Sequence, residues 1–175
     1  MTSHRFSVSE YYRMGELGIL DQRTELIEGL IVDMEPIGPW HADIVSLIQQ
    51  VFHERANGRY AVRVQQPIDL GAHSLPQPDV ALCRPARYRE QHPGAADIYL
   101  VIEVADTSLD FDLAQKRDLY AAAHIPEYWV IDVQDKKLSR FLLAGHNLVE
   151  VPVPGTRICS KAFPDASIDL AELFR

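Results

Sequence analysis

Asp79, Glu103 and Lys116 are the residues whose types and positions could carry chemistry. Glu103 ends the apolar run Ile98-Tyr-Leu-Val-Ile102, which reads as a central strand. A carboxylate there must be solvated, paired or bound to a cation, because burying it alone is too costly. Asp79 heads its own short strand, Asp79–Cys83, directly after Pro76-Gln-Pro78. Two acids on neighbouring strands can converge on one side of a sheet. Such a pair suits Mg²⁺, which takes oxygen ligands and keeps several waters. Plainer readings stay open at this level. An Asp after Pro-Gln-Pro is a common turn residue, and Glu103 could pair with a nearby Arg. Lys116 shares a helix face with Asp112 and Tyr120, at i−4 and i+4. It reads either as half of a surface ion pair or as an ammonium aimed at charge developing on a phosphate.

The elements that must position these residues follow from period and punctuation. Ser7-Val-Ser-Glu10 is a capping box that predicts a short helix through Leu17, stopped by Gly18. Thr24–Glu28 and Leu30–Glu35 flank Gly29 as a hairpin. Between His41 and Arg55, Ile44, Val45, Leu47, Ile48, Val51 and Phe52 recur at helical spacing, with Gly58 beyond. Tyr60–Leu70 then alternates as a strand ending near Gly71. Asp112–Ala123 reads as a helix and Tyr128–Asp132 as a strand, whose successive Tyr128 and Trp129 must face opposite sides. Lys137–Leu143 and Leu148–Val151 form a hairpin around Gly145-His-Asn147. The order predicts an α/β (α+β) sandwich with a mixed sheet flanked by helices, in a single domain spanning residues 1–175.

Composition removes whole function classes. The chain is 47% hydrophobic and 24% charged, which excludes disorder, collagen and coiled coil. Seventeen Lys and Arg against 25 Asp and Glu give a net charge of −8, a poor field for non-specific nucleic-acid binding. Cys83 and Cys159 make neither a disulfide scaffold nor a zinc module and read as small hydrophobes in a reducing compartment. With no apolar leader at the N-terminus and no run of roughly 20 apolar residues, the expectation is a soluble cytoplasmic protein without a membrane span. The seven histidines show no HExxH spacing, so zinc hydrolysis has no support, and no GxxxxGK[ST], GxGxxG or GxSxG occurs, which removes the simplest nucleotide-binding and serine-hydrolase readings.

Taken in order, the motifs resemble the Uma2-type (DUF820) family of the PD-(D/E)XK restriction-endonuclease-like superfamily. The matching elements are Glu25-Leu-Ile-Glu-Gly29, His41 opening a helix, Pro78-Asp79-Val80, Leu100-Val-Ile-Glu103-Val, Ser108, Asp112 with Lys116 and Tyr120, and Ile125-Pro-Glu-Tyr-Trp-Val-Ile-Asp132. The resemblance implies a restriction-endonuclease-like core with Mg²⁺ (or Mn²⁺) held by Asp79, Glu103 and the Val104 carbonyl. It implies Lys116 as the catalytic lysine and Glu25 as an additional acid from the hairpin. The superfamily's lysine stands two residues after the acid, where this chain has Ala105, so Lys116 must reach the site from the following helix. The reaction implied is hydrolysis of DNA phosphodiester bonds. His41 becomes a candidate either for supporting the metal ligands from behind or for contacting phosphate, and Arg84, Arg87 and Arg89 in the loop after the Asp79 strand are candidate phosphate contacts. Cutting both strands would call for two sites, hence a homodimer. The competing readings are a non-catalytic binding or assembly module on the same fold, which the charge of −8 favours, and a hydrolase of small phosphodiesters.

Overall fold

The structure, a computed structural model, describes residues 3–20 and 23–175. Ser7 opens the first helix through a capping box. Its hydroxyl accepts from the Glu10 amide and the Glu10 carboxylate accepts from the Ser7 amide, starting α1 (Val8–Glu16). Gly18, at φ +68°, takes the left-handed conformation that ends it. Strands β1 (Thr24–Ile27) and β2 (Leu30–Asp33) form the expected hairpin. Glu28 and Gly29 both have positive φ, as a two-residue type I′ turn requires. A side chain at Gly29 would also strike Arg5, whose Cβ would lie 2.7 Å from an added Cβ. Helix α2 (Pro39–Arg55) begins with a proline, whose missing N–H costs nothing in a first turn, and buries Ile44, Val45, Ile48 and Phe52.

The main sheet has six strands, β3 (Ala61–Val64), β4 (Val80–Cys83), β5 (Ile98–Ala105), β6 (Glu127–Asp132), β7 (Lys137–Ala144) and β8 (Asn147–Val151), in that spatial order. Only β5 and β6 are parallel; every other pair is antiparallel. The parallel pair needs a crossover, supplied by α3 (Leu109–Phe111), a π-helical turn (Asp112–Lys116) and α4 (Arg117–Ala122). β5 and β6 lie at the middle of the sheet and are buried on both sides, which explains their unbroken apolar runs.

Two cores result. On one face Ile44, Ile48 and Phe52 of α2 pack on Val80, Leu82, Ile102 and Trp129. On the other, Tyr120 and Ala121 of α4 pack on Ala81, Val101, Tyr128 and Val130. Tyr128 and Trp129 thus face opposite sides, Tyr128 against Tyr120 and Trp129 against Phe52. The expected mixed sheet flanked by helices is the architecture observed.

Three expectations need correcting. The strand predicted over Tyr60–Leu70 stops at Val64, because Gln65 takes φ +50° and Pro67 offers no ladder donor. The helix predicted over Asp112–Ala123 begins at Leu109 and is widened through Asp112–Lys116. The C-terminal residues, to which the sequence assigned no elements, form β9 (Arg157–Cys159), β10 (Ser167–Asp169) and α5 (Leu170–Leu173), closing the α2 face with Ile158, Phe163 and Ile168. Cys83 and Cys159 are both free; burial pushes the Cys83 thiol up to about 12. No described helix is long and apolar enough to cross a membrane.

Candidate active site

Sheet register brings the two acids together. Val80 pairs with Ile102 and Ala81 with Val101 across the antiparallel β4–β5 ladder. Continuing that register by one residue sets Asp79 opposite Glu103, on the face that Ala81 and Val101 share. Like charges placed directly opposite are unfavourable, so the pair must be held by other groups. The Asp79 amide donates to Glu103 Oε2 at 3.3 Å, and the Val104 amide donates to Asp79 Oδ2 at 2.8 Å. Asp79 Oδ1 meets His41 Nε2 at 2.9 Å and accepts from Gln65 Nε2 at 3.3 Å. The bend that ends β3 early therefore has a use: it turns Gln65 onto Asp79.

Lys116 reaches back over the site from the crossover. Its ammonium lies 3.1 Å from Glu103 Oε1, 3.1 Å from Glu25 Oε1 and 3.8 Å from Asp112 Oδ1. The Tyr120 hydroxyl donates to the same Glu103 Oε1 at 2.8 Å. Glu25 projects from β1 and accepts from the Gln77 amide at 3.1 Å. Asp112 accepts from the Ser108 hydroxyl at 2.6 Å. Three buried carboxylates thus surround one lysine, with the nearly buried Asp79 beside Glu103.

The electrostatics follow from that imbalance. Burial pushes Glu103 well above the usual carboxylate range. Lys116 pulls it back only in part, because Asp112, Asp79 and Glu25 push the same way as burial. Burial likewise raises Asp112 to about 6, against the pull of Lys116 and of the Ser108 hydrogen bond. At Lys116 burial favours the neutral amine, but Glu103, Glu25 and Asp112 together more than reverse this, so the side chain remains an ammonium. It is a fixed charge and not a proton acceptor at neutral pH.

These groups line a pocket of about 380 Å³ between β2, the start of α2 and the crossover. Its walls carry seven carboxylates, Glu25, Asp33, Glu35, Asp79, Glu103, Asp106 and Asp112, against Arg23 and Lys116. The surplus of negative charge and the hard oxygen donors suit a divalent cation such as Mg²⁺, which asks for one or two carboxylates and retains water. No group of three ligating side chains is already gathered among the described residues, so a backbone carbonyl or water must complete any such set. Val104 can provide the first. The Ala105 carbonyl is turned toward the β6 side, where it accepts from Val133, so the neighbouring Val104 amide and carbonyl face the pocket.

The structure brings together Asp79, Glu103, Val104, Lys116, Glu25 and His41. It does not bring Arg84 and Arg87 with them. β4 runs away from Asp79, so the loop holding Arg84, Arg87 and Arg89 lies at the far end of that strand, where Arg84 Nε bonds the Ala96 carbonyl at 3.1 Å. Arg23, just before β1, is the arginine on the pocket wall instead. His41 lines the pocket with its Nε2 set against Asp79, and its Nδ1 is buried without a hydrogen-bond partner. Sequence reasoning passed over Gln65 and Gln77, which give no periodic signal. It placed Asp112 and Tyr120 beside Lys116 without assigning them to the site, although their i−4 and i+4 spacing contained that information.

The Uma2 family model, described as "Putative restriction endonuclease", matches residues 8–171. Among solved structures, a "putative nuclease belonging to DUF820 from Anabaena variabilis ATCC 29413" superimposes with a TM-score of 0.67 at 17% identity, covering 92% of this chain and 96% of that one. At that identity the likeness is one of fold. No protein of curated function matches significantly.

Proposed function

The chain belongs to the Uma2 family, and from that premise we propose that it is a divalent-metal-dependent endonuclease hydrolysing phosphodiester bonds of DNA, within a single domain spanning residues 1–175. The observation that carries this reading is the pairing of Asp79 and Glu103 on one face at a sheet end, with the Lys116 ammonium held over them from the crossover. An acidic pair placed against its own repulsion is the arrangement a structural protein has least reason to keep.

In this reading Asp79, Glu103 and the Val104 carbonyl would hold Mg²⁺ or Mn²⁺. Held there, such an ion would supply an acidified water and offset charge developing on the phosphate. The chain's own residues do the positioning. His41 and Gln65 fix the rotamer of Asp79 through its Oδ1, and the Val104 amide fixes Oδ2. Tyr120 and Lys116 hold Oε1 of Glu103, leaving Oε2 with only the long contact from the Asp79 amide. Glu25 and Asp112 keep Lys116 charged and aimed at the pocket, where its fixed positive charge can meet a phosphate oxygen.

The test is direct. Purified protein with Mg²⁺ or Mn²⁺ should nick plasmid DNA, EDTA should stop it, and Asp79→Ala should abolish it. Cleavage that survives Asp79→Ala would overturn the mechanism. A second reading, a non-catalytic binding or assembly module on the same fold, rests on the net charge of −8. It predicts that wild-type protein binds Mn²⁺ at this site yet cleaves no nucleic acid.

A further inference from the structure

α1 is amphipathic yet none of its residues is buried, and Tyr12 is 45% exposed. With Tyr11, Tyr12, Gly15 and Glu16 the helix lines a groove of about 400 Å³ that Leu20, Arg23 and Gln77 complete; the Glu16 carboxylate is paired with Arg13 at 2.9 Å. Arg23 and Gln77 also line the acidic pocket, so the groove and the pocket adjoin. The two tyrosines are fixed in place. The Tyr11 hydroxyl donates to the Thr24 carbonyl at 2.7 Å, and the Tyr12 hydroxyl bonds His92 Nε2 at 2.9 Å. Their ring centroids are 6.1 Å apart with planes inclined at 60°. Gly15 lies on the groove wall, and a side chain there would have open space to occupy, since a Cβ would meet nothing within 4 Å.

We propose that this groove is a nucleotide subsite which stacks an unpaired base beside the scissile phosphate, with Arg23 meeting the intervening backbone, and that the substrate is single-stranded nucleic acid. The inference rests on the phosphodiesterase reading of the pocket and specifies its substrate class. The walls of the pocket repel a phosphate backbone, so affinity must come from elsewhere. Base–aromatic stacking supplies affinity that does not depend on net charge. Only an unpaired base exposes its face to a tyrosine ring; a duplex hides it. Cleaving one strand also needs only one active site.

Binding of a fluorescein-labelled oligothymidylate, and of the same strand annealed to its complement, can be followed by anisotropy at one fixed salt concentration, using full-length protein with Ca²⁺. Hydrolysis of bis(p-nitrophenyl) phosphate with Mn²⁺ reports the pocket alone. The expectation is tighter binding of the single strand, about tenfold loss with Tyr12→Ala, retention with Tyr12→Phe, and similar loss with Gly15→Leu, which fills the groove while favouring the helix. Hydrolysis of the small ester should be unchanged in all three variants. Equal or tighter binding of the duplex overturns the inference, as does unaltered single-strand binding by Tyr12→Ala and Gly15→Leu. A change in oligomeric state in these variants without a change in oligonucleotide binding overturns it too, in favour of a second copy on this face. Failure of bis(p-nitrophenyl) phosphate hydrolysis in wild type counts against the phosphodiesterase reading, whatever the groove binds.

Discussion

At the scale of single residues, the site is an excess of buried negative charge managed by one lysine. Two substitutions should therefore move stability in opposite directions. Lys116→Ala removes the cation shared by Glu25, Glu103 and Asp112. Breaking a buried ion pair from one side costs about 3–5 kcal/mol, and thermal denaturation should show a loss of that order at pH 7 together with loss of cleavage. Glu103→Gln removes a carboxylate whose ionisation burial opposes and leaves Lys116 two partners. It should raise the melting temperature at pH 7 by roughly 3 °C or more while abolishing cleavage. The sign with pH follows from the direction of the shifts. Glu103 and Asp112 have folded pKa values above their ordinary 4.5 and 3.8, so their favourable contribution is complete below those values and is lost as pH rises through the folded ones, about 6 for Asp112. The advantage of Glu103→Gln over wild type should accordingly disappear near pH 4 and grow toward pH 7. A variant no more stable than wild type at pH 7 would show that the site is not charge-frustrated.

At the scale of elements, the crossover decides whether the acids and the lysine meet. The helix following β5 is widened through Asp112–Lys116, and such π turns recur at functional sites. Deleting Ala114 should return this stretch to a regular α-helix and rotate Asp112 by about 100° relative to Lys116. Circular dichroism should stay close to wild type while cleavage falls by about a hundredfold or more; full activity would mean that the Asp112–Lys116 contact is not required. This is also where the sequence stopped being informative. The spacing Asp112, Lys116, Tyr120 revealed a shared face, but nothing in local pattern distinguishes a π turn from an α turn. β5 and β6 were legible because central strands carry continuous apolar runs. The early end of β3 was not, because the left-handed Gln65 is imposed by tertiary contact with Asp79 and by Pro67. Arg84 and Arg87 were misplaced for a simpler reason: proximity in sequence to Asp79 ignores that four strand residues carry the chain to the other end of the sheet.

At the scale of the whole molecule, a net charge of −8 with seven carboxylates on one pocket wall makes a field that favours a cation over a phosphate there. The order of motifs made the family resemblance and the mixed sheet visible without any structure, since register alone sets Asp79 against Glu103 once β4 and β5 are recognised as neighbours. The C-terminal strands were invisible because β9 and β10 are three residues each and their burial comes from packing on α2. The account as a whole stands on Asp79 and Glu103 sharing one cation. A crystal of this protein soaked in Mn²⁺ and measured at the manganese edge tests that most directly. The account predicts one anomalous peak within coordination distance, about 2.0–2.3 Å, of a carboxylate oxygen of Asp79 and one of Glu103, lost in Asp79→Asn. A site without a peak under saturating Mn²⁺, or a peak bound elsewhere and unaffected by Asp79→Asn, would contradict it.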